Sequence, residues 1–198
     1  MSHTEMPAAK DGRDTNVSDQ PIDSVASGAG VLEPAGDRWR LRFTRRLPHA
    51  PEKVWRAITE PEHLQAWFPQ RIVGEWVVGR PLTFASEYGD FEGEVRAFEP
   101  PSMLEFRWGT DTIRLEVKPD AQGSILTLLD TIDEVGKAAR DAAGWHVCLD
   151  RLELELDGAP PASETGERWQ ALHPTYIERF GPEAATIGPP ELPQKKEA

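Results

Sequence analysis

Residues 137–157 read KAARDAAGWHVCLDRLELELD, and this stretch decides the fold of the chain. With 3.6 residues per helical turn, its apolar residues fall on one face of a helix, with Cys148 at the edge: Ala138, Ala142, Trp145, Leu149, Leu152 and Leu156. Each large side chain on this face stabilises the fold by about 1.5–3 kcal/mol when it is fully buried. The pattern therefore predicts a long helix that needs a broad apolar partner.

Two residues of this helix depart from the apolar pattern. Gly144 lies in the middle of the helix, where glycine costs about 0.5–1 kcal/mol relative to alanine, and Asp141 falls within the angular range of the apolar face. One interpretation is that Gly144 lets Trp145 pack closely and that Asp141 pairs locally. The other is that both residues border a space for a ligand.

Upstream of the helix, a strand-like alternation begins at Trp39. Apolar Trp39, Leu41, Phe43 and Leu47 alternate with polar residues, which predicts a half-buried strand, and Arg45 falls on the same side as the apolar set. Five arginines lie between positions 38 and 46. We interpret them as the solvated face of a strand rather than a track for phosphates.

Two short helices and a meander of strands follow. Pro51 suits the first position of one helix, and residues 61–68, PEHLQAWF, predict a second that buries Trp67 and Phe68. Beyond Pro69, turn residues separate six strand candidates: Arg71–Val78, Pro81–Ser86, Phe91–Phe98, Met103–Trp108, Thr112–Lys118 and Ser124–Ile132. Alternation and short connections predict a one-sided antiparallel sheet whose apolar face the long helix covers.

Composition limits the classes of function. The chain has 198 residues, a net charge of −12 and one cysteine. The acidic balance argues against a nucleic-acid or anionic-membrane partner, and the absence of an apolar run near about 20 residues argues against a membrane span. Without a secretory leader, we expect a cytoplasmic protein. A single cysteine, Cys148, excludes an internal disulfide and is predicted to be an inert small hydrophobe.

The chain divides into four predicted segments. Residues 1–37 are expected to be a disordered acidic tail, 38–158 the folded domain, 159–181 a helical extension and 182–198 a disordered tail. The extension carries an apolar strip that needs cover, formed by Trp169, Leu172, Tyr176 and Phe180. Either it folds back on its own domain, which we favour, or it forms a homodimer contact.

The order of these elements resembles a known superfamily. The segments that carry the likeness are LRFTRRLPHAPEKVWRAITEPEHLQAWF (41–68), Gly79, FEGEVRAFEPPSMLEFRW (91–108) and AAGWHVCLDRLELELDG (142–158). They resemble the START-like SRPBCC superfamily, and within it the group similar to the C-terminal domain of activators of the ninety-kilodalton heat-shock protein ATPase. The resemblance implies an α+β helix-grip fold, in which a curved antiparallel sheet of about six to seven strands surrounds the C-terminal helix and leaves a cavity. Members of the superfamily bind lipids, polyketides or other apolar molecules, and some are enzymes.

Positions that match this fold define the expected ligand site. The residues expected to line it are mostly apolar: Trp67, Phe68, Phe84, Phe106, Trp108, Leu115, Leu126, Leu128, Gly144, Trp145, Cys148, Leu149 and Leu152. Three polar residues, Arg45, Asp130 and Asp141, are also expected to point inward. Because buried charges need partners, we predict that Arg45 pairs with Asp130 or Asp141.

No catalytic signature accompanies this site. The sequence lacks a G-x-S-x-G elbow, a phosphate loop, a CxxC pair and a paired-histidine metal motif, so we expect no catalytic residue, metal or cofactor. The predicted function is non-catalytic binding of a small, mostly apolar ligand. The alternatives are a partner-binding module of the chaperone-activator type and, lower, a cavity enzyme, a cyclase or hydrolase, that uses Arg45, Asp130 and Asp141.

Overall fold

The computed structural model describes residues 28–86, 89–160 and 165–189. The strands found there are β1 (Val31–Ala35), β2 (Arg38–Leu47), β3 (Arg71–Val73), β4 (Pro81–Ala85), β5 (Phe91–Glu99), β6 (Met103–Trp108), β7 (Asp111–Asp120) and β8 (Gly123–Ile132). The helices are α1 (Pro51–Thr59), α2 (Pro61–Trp67), α3 (Ala138–Asp157) and α4 (Thr165–Phe180), with 3-10 turns at Val135–Lys137 and Pro182–Ala185. No helix in these ranges is both long and apolar enough to cross a membrane.

The strands form one antiparallel sheet in the order β1-β2-β8-β7-β6-β5-β4-β3. Long β2, β7 and β8 form the centre, where Leu128 lies opposite Phe43 on one side and Leu115 on the other. Helix α3 covers this apolar face, and the predicted helix face is buried. Gly158, in the left-handed conformation with φ 66°, ends the helix. The helix-grip fold is confirmed, with eight strands in the described ranges rather than six or seven.

The first strand corrects the predicted extent of the N-terminal tail. Residues 31–35 pair with β2 at the edge of the sheet, although they were expected to be disordered, and Glu33 forms ion pairs with Arg40 and Arg42. The segment has no clear apolar alternation, so its sequence does not predict a strand. Its strand conformation depends on pairing with β2, which local sequence does not encode. The rest of the predicted tail, residues 1–27, lies outside the described residues.

The C-terminal extension folds back on the domain, as we favoured. Helix α4 packs along α3, where Tyr176 is 2% exposed and Trp169 Nε1 donates to the Arg140 carbonyl oxygen at 3.2 Å. The predicted C-terminal tail begins later than residue 182, because Ala184 is buried and the Ile187 N–H donates to the Gly136 carbonyl oxygen. Residues 190–198 of that tail lie outside the described residues.

Candidate functional site

Six of the predicted site residues form an aromatic cluster between the sheet and helix α3. Phe68, which follows α2, lies at its centre, and ring centroids 5.5–6.2 Å away surround it: Trp67, Phe84, Phe106, Trp108 and Trp145. These side chains come from the helix, the short helices and the strands, as the fold resemblance implied. They contact one another, so the rings themselves fill this part of the expected cavity.

The predicted aliphatic residues lie in the core beside the aromatic cluster. Each of them is almost fully inaccessible: Leu115, Leu126, Leu128, Leu149 and Leu152. Cys148 is also buried, and burial raises the pKa of its thiol to about 12. A nucleophilic cysteine needs thiolate character, which burial of Cys148 disfavours.

Arg45 points inward, but its predicted partners are wrong. Its Nε lies 2.9 Å from Glu153 Oε1 and its Nη2 lies 3.4 Å from Asp150 Oδ1. In the sheet Arg45 is opposite Leu126, four residues along β8 from Asp130, and a strand rises about 3.3 Å per residue. That separation of about 13 Å keeps Arg45 away from Asp130.

Asp141 and Gly144 are the two residues that depart from the apolar face of α3. Asp141 Oδ1 accepts a hydrogen bond from Arg140 Nε at 2.6 Å, which is the predicted local pairing. Apart from its chain neighbours and the nearby backbone of its own helix, a Cβ atom added to Gly144 would meet no atom within 4 Å, so no other element packs against this position.

An open cleft of about 500 Å³ adjoins the aromatic cluster at the turn between β6 and β7. Nine residues line it: Gln70, Ser86, Gly89, Asp90, Phe91, Trp108, Gly109, Thr110 and Asp111. Trp108 belongs to both the cleft and the cluster, and its Nε1 donates to Gln70 Oε1 at 3.2 Å. The Phe91 ring lies edge-on to Trp108 at 5.9 Å and stacks on Phe84 at 5.2 Å. The cleft therefore has an aromatic wall and a polar rim.

The sequence reasoning missed Phe91, Gln70 and Asp111. Phe91 begins a predicted strand, but its place beside Trp108 depends on the register in which Gly93 opposes Trp108. Gln70 and Asp111 come from a connection and from a strand end far apart in the chain. No local pattern marks these residues as neighbours.

Three aspartates meet beside the cleft, and we call Asp111, Asp130 and Asp141 the carboxylate cluster. One carboxylate oxygen from each lies within 4.8 Å of the corresponding oxygens of the other two. Asp130 is 0% exposed, and its Oδ2 accepts a hydrogen bond from Trp145 Nε1 at 2.8 Å. Burial raises the pKa of Asp130 well above its ordinary value, and the charges of Asp111 and Asp141 raise it further.

Lys137, in the turn before α3, neutralises part of this cluster. Its Nζ donates to both carboxylate oxygens of Asp111, at 2.7 and 2.8 Å, and lies 2.6 Å from Asp133 Oδ1. Burial alone would lower the pKa of Lys137, but its hydrogen bonds to these two aspartates raise it. Burial likewise opposes ionisation of Asp133, yet hydrogen bonds from Lys137 and Thr110 lower its pKa to about 2. Lys137 and Asp133 are therefore a charged pair at neutral pH.

The family model described as "Activator of Hsp90 ATPase homolog 1-like protein" matches residues 48–157. No curated protein matches the chain. Among solved structures, a conserved protein of unknown function, EF2215 from Enterococcus faecalis, is similar at 21% identity and a TM-score of 0.66, over 76% of this chain and 90% of that one. CalU16 from Micromonospora echinospora is 22% identical with a TM-score of 0.60, over 76% and 93% of the two chains. DynU16, a protein of the dynemicin biosynthetic locus, is 25% identical with a TM-score of 0.56, over 62% of this chain and 48% of that one.

Proposed function

The chain belongs to the family of Activator of Hsp90 ATPase homolog 1-like proteins, and within that family we propose that it binds a small, mostly apolar ligand without a catalytic step. The observation that carries the proposal is the open cleft beside the aromatic cluster. Its volume of about 500 Å³ is that of a small-molecule site, and its wall of Phe91 and Trp108 continues inward to Trp145.

The lining of the cleft defines the class of ligand. Phe91 and Trp108 present partly buried aromatic surface, which favours a flat or ring-containing apolar group. Gln70, Asp90 and Asp111 at the rim are suited to a hydrogen-bond donor on the same molecule. The setting of DynU16, in a biosynthetic locus, also favours a small-molecule ligand for this fold.

The arrangement of polar groups favours binding over catalysis. The enzyme alternative requires Arg45 beside Asp130 and Asp141, but Arg45 pairs with Asp150 and Glu153. Cys148 is buried with a raised thiol pKa. The three residues of the cyclase or hydrolase alternative therefore do not form one site.

Two phenylalanines on β5 provide a matched test. Phe91 and Phe98 are both partly buried and both stack on an aromatic ring, Phe84 and Trp55 respectively, but only Phe91 of this pair lines the cleft. The neutral apolar dye Nile red is titrated into the full chain and followed by fluorescence. We expect Phe91→Ala to weaken dye binding by about tenfold, a loss of about 1.4 kcal/mol, and Phe98→Ala to leave it unchanged.

If both variants weaken dye binding equally, or if neither variant weakens it, the cleft is refuted as the binding site. Native mass spectrometry of the protein from its own host, followed by organic extraction, then identifies a natural ligand. A stoichiometric apolar adduct that Phe91→Ala fails to retain supports the proposal. A dye that binds the cleft while the host protein carries no adduct points to a weakly held ligand.

A second candidate, the partner-binding module, is favoured by one surface feature. Val73, Val77 and Val78 are exposed at the edge strand β3 and the connection after it. Exposed apolar residues beside an open strand edge are typical of protein contacts. If this surface contacts the heat-shock protein 90 ATPase, the purified chain stimulates that ATPase, and Val77→Asp abolishes the stimulation without changing dye binding.

A further inference from the structure

We propose that the carboxylate cluster is a binding site for a hard divalent cation of the size of Ca²⁺. Its three members come from three elements that the fold brings together: Asp111 begins β7, Asp130 lies near the end of β8 and Asp141 is in the first turn of α3. The proposal does not depend on the apolar ligand, because it rests on a different kind of contact and shares only Asp111 with the lining of the cleft.

Two buried oxygens of the cluster lack partners. Among the described residues, no hydrogen-bond donor reaches Asp130 Oδ1 or Asp141 Oδ2, although both atoms are buried. Trp145 Nε1 occupies the other oxygen of Asp130, and Arg140 Nε occupies the other oxygen of Asp141. A buried carboxylate oxygen without a partner is costly, and one bound cation would satisfy both free oxygens together.

The spacing of the cluster suits calcium. Two oxygens bound to the same ion are at most twice the ion–oxygen distance apart, which is about 5 Å for Ca²⁺ and about 4 Å for Mg²⁺. The cluster oxygens lie within 4.8 Å of one another, which is inside the pairwise limit for Ca²⁺. Carboxylate oxygens are also the ligands that such hard cations prefer.

The carboxylates at this site outnumber the cations beside them. With Asp133, the cluster comprises four carboxylates when all are ionised, and two cations donate hydrogen bonds to them, Lys137 and Arg140. Arg38 is a third cation beside the cluster, because its Nη2 lies 3.7 Å from Asp111 Oδ1 while it donates to the Thr110 carbonyl oxygen at 2.9 Å. When all four carboxylates are ionised they exceed these three cations by one, and a bound cation would offset that excess.

The cluster also has a route to solvent. Asp111 is the member that lines the open cleft, so the cleft brings solvent close to the cluster. The side chain of Asp141 keeps 13% of its surface exposed, whereas Asp130 is fully enclosed. The ion would thus move from the rim of the cleft toward Asp130.

Terbium luminescence tests the site, because Trp145 is hydrogen-bonded to one of the proposed ligands. The full chain is freed of metal with a chelator, titrated with Tb³⁺ and excited through tryptophan. We expect saturable emission that Ca²⁺ displaces more effectively than Mg²⁺. Asp130→Asn and Asp141→Asn should each weaken Tb³⁺ binding at least about tenfold, since each removes a charged ligand.

A surface group provides the control. Glu60, Glu62 and His63 have comparable spacing but lie at the surface, so Glu62→Gln should leave the emission unchanged. Emission that Ca²⁺ does not displace, or that Glu62→Gln abolishes while Asp130→Asn does not, overturns the proposal. As a second measurement, Ca²⁺ should raise the Tm of the wild-type chain but not of Asp130→Asn, and equal Tm shifts in both would also overturn it.

Discussion

Replacing Tyr176 by phenylalanine tests how the two ends of the described chain are joined to the domain. The Tyr176 hydroxyl accepts a hydrogen bond from the buried Gly30 N–H at 2.9 Å and lies 2.8 Å from His146 Nδ1. A hydroxyl has one proton, and with Gly30 donating to its oxygen, that proton is available to His146 Nδ1. One hydroxyl thus connects the segment before β1, helix α4 and helix α3.

Tyr176→Phe removes the hydroxyl but keeps the ring. The Gly30 N–H is then buried without an acceptor, which costs about 1–3 kcal/mol, while the partly accessible His146 can bond to water. We expect a loss of about 2 kcal/mol in the free energy of unfolding, corresponding to a Tm lower by about 4–8 °C. The loss should be accompanied by faster amide exchange in residues 28–35.

Urea denaturation measures the global change, and hydrogen exchange with mass spectrometry measures the local one. Trp169→Phe is the control, because it removes another hydrogen bond between α4 and α3 that does not involve the N-terminal segment. Unchanged protection of residues 28–35 in Tyr176→Phe would refute the reasoning. So would equal loss of that protection in Trp169→Phe.

Three further outcomes are expected. First, burial, together with Arg45 and Arg168, lowers the pKa of His146 below its ordinary 6.5, so the unfolded chain binds the proton more readily than the folded chain. The free energy of unfolding should therefore fall as the pH drops below about 6.5, and His146→Gln should remove that part of the pH dependence in urea melts. Second, Gly144→Ala should raise the free energy of unfolding by about 0.5–1 kcal/mol because its Cβ meets open space, whereas Gly136→Ala should lower it because its Cβ would overlap the Thr186 hydroxyl. Thermal melts in which both variants shift the Tm in the same direction would contradict this. Leu128→Ala, at a fully buried position, should cost about 2–5 kcal/mol in urea denaturation, and a loss below about 1 kcal/mol would contradict its place in the core.

Much of the fold was predictable because its signals are local. The apolar face of α3, including Trp145 and Leu149, repeats with the helical period, and the strands ending in Leu47 and Trp108 alternate with a period of two. These periods depend only on backbone geometry and on which side chains avoid water. They are therefore visible without knowing how the elements pack.

The candidate site was predictable only in part. The inward direction of Arg45 followed from alternation, but its partners, Asp150 and Glu153, depend on where α3 crosses the sheet. Strand β1 has no periodic signal and exists through pairing with β2. Phe91 joined the site through the register of β5 with β6.

By itself, the sequence determined the order of helices and strands from β2 onward, the buried face of α3 and the superfamily. Only the tertiary structure decided which polar groups meet. Asp111, Asp130 and Asp141 are separated by 19 and 11 positions in the chain, yet three of their oxygens lie within 4.8 Å. The physical reason is that burial of apolar surface acts on each element through its own periodicity, whereas contacts between charges require the register and crossing of several elements at once.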